Sequence, residues 1–166
     1  CNCASLLRRL EMNGIDVGDR WNALLPETQN HLENTDLIFA ALHYLIVAVA
    51  AHDTDAQNAL LSSLHAAAET DTTSGQVCRS AGLELAAAIV EAGRGEFTKA
   101  ARRIARARYR MGEIGGSRAQ RDLFEMLMID AACQGDEPAL ARALLTDRVA
   151  RKPKAAWAVK KLAGAG

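Results

Sequence analysis

The stretch Gly93-Arg94-Gly95-Glu96-Phe97 is a tight turn between two apolar helical runs, and similar turns occur twice more in the chain. Gln134-Gly135-Asp136-Glu137 follows it, with Gly135 lying 40 positions after Gly95, and His52-Asp53-Thr54-Asp55 precedes it. The residues at corresponding positions after the three turns are Ala59, Ala100 and Leu140. A period of about 40 residues is typical of stacked helical hairpins, since one hairpin cannot bury its own apolar face. The repeat therefore predicts an all-α fold, an α-solenoid of stacked antiparallel helical hairpins with Gly95 and Gly135 in equivalent turns.

Composition agrees with closely packed helices. Apolar residues make up 49% of the 166 residues but aromatic residues only 4%, whereas sheet proteins depend on β-branched and aromatic side chains. The 20 basic and 20 acidic residues cancel, and binding to nucleic acid or an anionic membrane needs a positive surplus. The longest apolar run, Leu37 to Ala51, is too short to cross a bilayer. We therefore expect a cytoplasmic protein that binds neither nucleic acid nor membrane.

The chain divides into three segments. Residues 1–34 contain two short helical stripes, the second shortened by Pro26, and are predicted to end a preceding helical repeat. Residues 35–152 are predicted to form three divergent hairpins, and residues 153–166 a basic tail with a short helix that frays from Ala163 onward. The hairpin helices are expected at residues 37–51 and from 54, at 75–92 and 96–111, and at 117–133 and from 136.

Local signals concern helix starts and cysteines. Thr54 with Gln57, and Ser117 with Gln120, have the spacing of capping boxes. Cys78 and Cys133 lie in apolar helical runs, so we expect free buried thiols in a reducing compartment. Because the chain begins at Cys1, we expect a piece of a longer protein; a mature lipoprotein also begins with Cys, but the usual Ser- and Gly-rich linker is missing.

The second hairpin resembles a tetratricopeptide repeat. Gly95, Phe97, Ala100, Ile104 and Ala107 follow the pattern of the second half of such a repeat. In that pattern the Gly makes the turn, the aromatic residue fills the hairpin, and the small residues let helices approach closely. The third hairpin departs from it, because the corresponding residues are Glu137, Leu140 and Asp147. The resemblance implies divergent tetratricopeptide-like repeats.

A narrower resemblance covers nearly the whole chain. Val17-Gly18-Asp19-Arg20-Trp21, Leu42-His43 and the block from Gly115 to Asp122, which reads Gly-Gly-Ser-Arg-Ala-Gln-Arg-Asp, are similar to the C-terminal portion of the tetratricopeptide repeat protein 38 family. The segment from Ala141 to Pro153 also fits the end of that family. The resemblance implies a helical-repeat fold, with further helices preceding this chain, and supports no particular activity.

The repeat alignment identifies a candidate groove. Placing Gly95 and Gly135 at the repeat turn puts residues of the first helix of each hairpin on the inner surface, where a peptide would bind. The groove residues expected on that basis are Tyr44, Leu85, Ile89, Glu125 and Ile129. The leading hypothesis is a non-enzymatic protein–protein interaction module or scaffold whose protein or peptide partner is unidentified.

The alternative is a small-ligand binder or enzyme with a pocket near His43 and Arg121, completed by a missing N-terminal part. Arg118 and Arg121 could hold an anion or a carboxylate near a helix start. The structural interpretation is local: Ser117 and Gln120 cap the helix, Asp122 pairs with an arginine of the previous helix, and His43 is a hydrogen-bonded core residue. Close approach of His43 to Arg121 in an enclosed pocket would favour the alternative.

No sequence motif indicates catalysis. The chain has no nucleophile elbow, P-loop, dinucleotide fingerprint or zinc-protease motif, so we expect no catalytic residue, metal or cofactor. The strongest charge feature is a basic row, which could contact RNA or an acidic partner, although a solvated face with local ion pairs is the simpler interpretation. Its members are Lys99, Arg102, Arg103, Arg106, Arg108 and Arg110.

Overall fold

The protein, seen in a computed structural model that describes residues 1–164, is built from helices. Its α-helices are α1 Asn2–Met12, α2 Leu25–Gln29, α3 Ile38–Ala50, α4 Thr54–Ala68, α5 Thr73–Val77, α6 Leu83–Gly93, α7 Phe97–Ala107, α8 Arg118–Gln134, α9 Pro138–Arg151 and α10 Ala156–Ala163. A 3₁₀ helix spans Gly18–Leu24, and a π-helical turn, Cys78–Gly82, joins α5 to α6. No strand occurs in residues 1–164, which confirms the all-α prediction. Residues 165 and 166, the end of the predicted fraying tail, lie outside this part.

Most helices pack on the next helix in the chain. Helix α3 contacts α4, α6 contacts α7, and α8 contacts α9, so three helical pairs form where hairpins were predicted. Contacts of α3 with α6 and of α7 with α8 join the pairs into one core of small and aliphatic side chains. Alanines at positions such as Ala88, Ala100 and Ala101 are almost completely buried, and their small size permits close helix packing.

The first two pairs share one turn geometry. His52 and Gly95 both adopt positive φ, 58° and 77° respectively. In each turn the following amide donates to a carbonyl five residues back, Asp53 to Ala48 and Glu96 to Glu91. This is the Schellman arrangement, in which a left-handed residue satisfies the last carbonyls of a helix.

The third turn is built differently, so the predicted equivalence of Gly95 and Gly135 is wrong. Gly135 has φ −89° and ψ −179°, an extended conformation open to any residue. Close packing explains the glycine at this position, because a Cβ there would lie 2.7 Å from the backbone nitrogen of Thr98. The next amide, Asp136, donates to the Thr98 hydroxyl at 3.0 Å. The third turn is therefore packed on the start of α7.

Helices that are distant in the chain also contact one another. Helix α1 contacts both α3 and α8. The rings of Phe39 on α3 and Phe124 on α8 lie 6.4 Å apart edge to face, and His43 lies 5.6 Å from Phe124. The amide of Phe39 also donates to the carbonyl of Ile114, in the loop before α8, at 3.0 Å. First helices of separate pairs therefore meet directly across an inner face.

Several local expectations need correction. Helix α7 ends at Ala107, four residues before the predicted end at Met111. The second helical stripe predicted in residues 1–34 is split into the 3₁₀ helix, which contains Trp21, and α2, with Pro26 in the first turn of α2. Cys133 is exposed, although Cys78 is buried as expected and burial raises the pKa of its thiol to about 11. The α4 cap is Asp53, which accepts from the amide of Ala56, so the predicted Thr54 capping box is wrong.

Candidate functional sites: an inner cavity and a cationic groove

The inner face contains a cavity of about 560 Å³, which we call the inner cavity. It lies where the C-terminal halves of α3, α6 and α8 meet the end of α1 and helices α7 and α10. Its apolar lining is Met12, Ile46, Val49, Ala50, Ala88, Ile89, Ala92, Phe97, Ile104 and Leu127. A volume in this range, mostly apolar with a few polar groups, is usual for ligand sites.

Close packing between α3 and α6 shapes one wall of the cavity. A Cβ at Gly93 would collide with Val49, so only glycine lets the two helices approach at this point. Phe97 begins α7 just past the turn and is only partly buried, which leaves part of its ring available. This wall therefore offers aliphatic and aromatic side chains to a bound ligand.

The rim of the inner cavity is polar and internally neutralised. Arg8 pairs with Glu11 at 3.0 Å, and the Trp21 indole also donates to Glu11 at 2.6 Å. Across the opening Lys161 pairs with Asp130 at 3.0 Å, and Gln134 donates to Asp130 at 2.7 Å. Because each rim carboxylate already has two partners, the rim supplies little net charge for recognition. Apolar contact is the main interaction that the inner cavity offers.

The structure distributes the predicted groove residues over three environments. Leu85 and Ile129 are buried in the core, at 1% and 0% exposure, and neither lines the inner cavity. Ile89 does line it. Tyr44 lies outside it, with its ring stacked on that of His31 at 4.9 Å. Glu125 borders a second depression, described below.

His43 has the environment of a core residue. It is 1% exposed, its ring packs 4.3 Å from that of Phe39, and its Nδ1 donates to the Phe39 carbonyl at 2.7 Å. Its Nε2 is buried without a hydrogen-bond partner among the described residues. Burial lowers the pKa of His43 to about 4, partly opposed by the Phe39 hydrogen bond, so the ring is neutral near pH 7. The groove that Arg121 borders does not reach His43.

Most of the block from Gly115 to Asp122 has a structural role. A Cβ at Gly116, which has φ 71°, would lie 2.9 Å from the Phe39 ring, so the loop packs directly on α3. Ser117 and Gln120 form a complete capping box at the start of α8. Arg121 donates to the carbonyls of Gly115 and Gly116, which fixes the loop. Arg118 forms no hydrogen bond or ion pair among residues 1–164.

Asp122 belongs to a charge cluster that joins α8 to the following helix α9, so the prediction that it pairs with an arginine of the previous helix is wrong. Arg148, whose side chain is only 4% exposed, forms two hydrogen bonds to Asp122, at 3.0 and 2.9 Å, and pairs with Glu125 at 3.1 Å. Lys152 bonds the same Asp122. Burial alone would raise the pKa of Asp122, but hydrogen bonds from Arg148 and Lys152 outweigh it and lower the pKa to about 2.

Above this cluster lies the second depression, the cationic groove, with a volume of about 290 Å³. It is lined by Arg108, Tyr109, Met111, Gly112, Arg118, Arg121, Asp122, Glu125, Met128, Arg151 and Lys152. Its two acidic residues are already paired with arginine or lysine. The groove therefore carries an excess of positive charge in a chain whose formal net charge is zero.

The outward basic row forms local ion pairs, as the simpler interpretation predicts. Arg103 bonds Glu91 and Glu84, and Arg106 bonds Glu84. Lys99, Arg102 and Arg110 pair with nearby glutamates in the same way. Arg108 forms the longest of these ion pairs, with Asp147 at 4.0 Å.

Sequence reasoning missed most of the lining of the inner cavity. Ile46, Val49, Ala92 and Leu127 lie on the same first helices as the predicted groove residues, and the stretches that form the wall are nearer the turns. One usable signal was Asp130, an acidic residue within an apolar helical run. Tyr109, 86% exposed between two arginines, was likewise missed as a surface feature.

Comparison with known proteins adds no assignment. No protein-family model matches the chain, and no solved structure matches it. The resemblance to the tetratricopeptide repeat protein 38 family therefore stays a prediction. Within residues 1–164 no helix has both the length and the apolar character required to cross a bilayer. In that same part of the chain no group of three or more His, Cys, Asp or Glu side chains is placed to hold a metal ion.

Proposed function

We propose that this chain is a non-enzymatic helical-repeat interaction module that binds an amphipathic helix of a protein partner through the inner cavity. We further propose that it is the C-terminal portion of a longer repeat protein related to the tetratricopeptide repeat protein 38 family. The observation that carries the binding proposal is an apolar cavity with an internally neutralised rim, formed where first helices of three pairs converge.

The chemistry of the lining favours an apolar anchor. Ile89, Phe97 and Leu127 offer carbon surface, and burying such surface contributes roughly 25 cal/mol per Å². A helix-in-groove interaction uses this effect, with side chains at positions i, i+3 or i+4 and i+7 entering one cavity. The paired rim would accept a helix of either charge, because Glu11 and Asp130 are already neutralised by Arg8 and Lys161.

The repeat relationship has support from two of the three pairs. The α3–α4 and α6–α7 connections share the Schellman geometry, centred on His52 and Gly95. The α8–α9 pair keeps a three-residue connection but replaces that geometry with packing on Thr98. We propose that the α8–α9 pair is the most divergent unit of a short tetratricopeptide-like array.

Selection from a displayed library of helical peptides tests the binding proposal. We expect enriched peptides to carry Leu, Ile or Phe at helical spacing. Ala92→Trp, which fills the inner cavity from α6, should weaken their binding at least tenfold. Ala66→Trp is the matched control, because Ala66 is exposed on α4 and does not line the cavity. Circular dichroism and thermal unfolding check that both variants are folded.

Two results would contradict the proposal. One is peptide binding that Ala92→Trp leaves unchanged, which would move the site elsewhere. The other is that no peptide is enriched, while an apolar dye such as 1-anilinonaphthalene-8-sulfonate binds the wild type but does not bind the Ala92→Trp variant. That second result would favour a small-ligand binder, with its pocket in the inner cavity.

A further inference from the structure

We propose that the cationic groove binds a phosphomonoester dianion, with Arg118 and Arg121 on the phosphate and the Tyr109 ring against the group that carries it. The site is separate from the inner cavity, with which it shares no lining residue. It is independent of the proposed peptide binding, because different residues and a different chemistry form it.

The first observation is the availability of the groove's guanidinium groups. Arg151 and Lys152 are paired with Glu125 and Asp122, and so contribute little to a ligand. Arg118 forms no hydrogen bond or ion pair among residues 1–164. Arg108 forms only a long ion pair with Asp147, at 4.0 Å and without a hydrogen bond, and Asp147 is also bonded by Arg151. Arg108 and Arg118 are therefore able to turn their donors toward an anion.

The second observation is the way Arg121 is held. One of its terminal nitrogens donates to the carbonyls of Gly115 and Gly116, which anchors the guanidinium on the loop. Guanidinium has five N–H donors, so donors remain for a ligand after these contacts. An anchored arginine loses less conformational entropy on binding than a free one, and arginine suits bidentate contact with phosphate oxygens.

The third observation is the exposed aromatic ring at the edge of the groove. Tyr109 is 86% exposed in a chain with few aromatic residues, and the Arg108 guanidinium lies 5.1 Å from its ring centroid. An aromatic face next to several arginines suits a ligand with a planar group and an adjacent anion. A volume of about 290 Å³ admits a phosphate with a small ring.

Charge explains the preference for a phosphomonoester over a monoanion. Asp122 and Glu125 are paired with Arg148, Arg151 and Lys152 of α9 and the residue after it, so neither needs Arg118 or Arg121. A dianion would complement the remaining excess of positive charge better than a monoanion of the same shape. The second pKa of a phosphomonoester is about 6, so the ligand itself becomes a dianion between pH 5 and 7.

Calorimetric titration with phenyl phosphate, phenyl sulfate and inorganic phosphate tests the proposal on the whole chain. We expect saturable binding of phenyl phosphate, weaker binding of the monoanionic phenyl sulfate, and weaker binding of inorganic phosphate, which lacks a ring. Binding of phenyl phosphate should strengthen from pH 5 to pH 7 while that of phenyl sulfate stays constant. The acidic groups near the groove are Asp122, Glu125 and Asp147, and no histidine lines it.

Variants locate the site. Arg118→Gln should weaken phenyl phosphate binding at least fivefold, and Tyr109→Ala should reduce its advantage over inorganic phosphate. Arg94→Gln is the matched control, because Arg94 is also exposed and unpaired in the described residues but lies in the α6–α7 turn, outside the groove. No saturable binding, or equal losses in Arg118→Gln and Arg94→Gln, would overturn the proposal. Equal affinity for phenyl phosphate and inorganic phosphate would overturn the role of Tyr109.

Discussion

In both the α6–α7 and the α8–α9 pair, two arginines of the second helix bond two acidic residues of the first. On α7, Arg103 and Arg106, three residues apart, bond Glu84 and Glu91 of α6. On α9, Arg148 and Arg151, also three residues apart, bond Asp122 and Glu125 of α8. The difference lies in the arginines, since the Arg103 side chain is 34% exposed and that of Arg148 only 4%, whereas their partners Glu91 and Asp122 are both 14% exposed.

Burial changes how much an ion pair contributes to stability and what its loss costs. A solvent-exposed ion pair contributes about 0–1 kcal/mol, because water competes for both partners. A buried charge is costly unless every partner is present, so removing one partner of a buried pair costs about 3–5 kcal/mol. Apolar packing is therefore expected to hold α6 to α7, whereas the α8–α9 pair depends on a complete charge cluster.

Replacing Arg148 and, separately, Arg103 should give the largest difference in stability between the two helical pairs. Arg148→Met keeps the aliphatic stem but leaves Asp122 and Glu125 each short of one partner, so we expect a loss of about 3 kcal/mol in the free energy of unfolding. Arg103→Met, the matched control, leaves the largely buried Glu91 without its arginine but removes a half-exposed guanidinium, so it should cost less, about 1 kcal/mol. Urea unfolding at pH 7 measures both. Equal losses would mean that burial does not distinguish the two pairs.

Stability at low pH tests a second buried group, His43, which lies in the core between α3 and α8. Burial lowers the pKa of His43 to about 4, below its ordinary value of 6.5. Between those values the unfolded chain binds more protons than the folded protein, so stability is greatest above pH 6.5 and falls as the pH falls toward 4. A shift of this size corresponds to about 3 kcal/mol.

Stability measured by urea unfolding at several pH values between 7 and 4 tests this expectation. His43→Leu should flatten the decline, because the replacement does not titrate. The Asp122 contribution is lost only as the pH falls from 3.8 through about 2, so it leaves this window largely unaffected. A decline of the same steepness in His43→Leu would assign the effect to other groups.

The two glycines 40 residues apart should lose different amounts of stability when each is replaced by asparagine. Asn tolerates positive φ and nothing lies within 4 Å of a Cβ at Gly95, so Gly95→Asn should cost less than about 1 kcal/mol. Gly135→Asn would place a Cβ 2.7 Å from the Thr98 nitrogen, and we expect a loss of about 2 kcal/mol. Thermal unfolding compares them. A larger loss at Gly95 would show that the turn conformation matters more than the packing on α7.

Sequence reasoning succeeded where a signal is local. The all-α class, the three helical pairs and the capping box at Ser117 follow from apolar periodicity, small residues and cap spacing, and the structure contains each of them. The equivalence of Gly95 and Gly135 could not be tested in this way, because glycine satisfies both a positive φ and a close approach. Only the position of Thr98 relative to the third turn distinguishes those two causes.

The candidate sites were harder to predict because they depend on how the pairs curve. The periodicity placed Leu85 and Ile129 on an inner face, but the contact of α3 with α8 through Phe39 and Phe124 closes part of that face. The remaining opening lies toward the turns, at residues such as Val49 and Ala92. Curvature is set by the sum of many interhelical contacts, so no short motif encodes it.

The N-caps of α4 and α8 should show the smallest differences in stability. Two capping boxes were predicted from the same spacing, but only Ser117 caps its helix; Thr54 follows the true cap, Asp53. Ser117→Ala should therefore cost about 1 kcal/mol, as losses of N-cap hydrogen bonds do. Thr54→Ala should be neutral within about 0.5 kcal/mol, because it removes no cap and alanine favours helix.

Urea unfolding of Ser117→Ala, Thr54→Ala and Asp53→Ala resolves these differences. Asp53→Ala should resemble Ser117→Ala, because its carboxylate accepts from the Ala56 amide at 3.0 Å. The physical reason for the displaced cap lies in the preceding turn: the Schellman geometry at His52 leaves Asp53 extended, with φ −81° and ψ 91°, as an N-cap requires. A loss at Thr54 as large as at Asp53 would show that the hydroxyl, and not the carboxylate, begins α4.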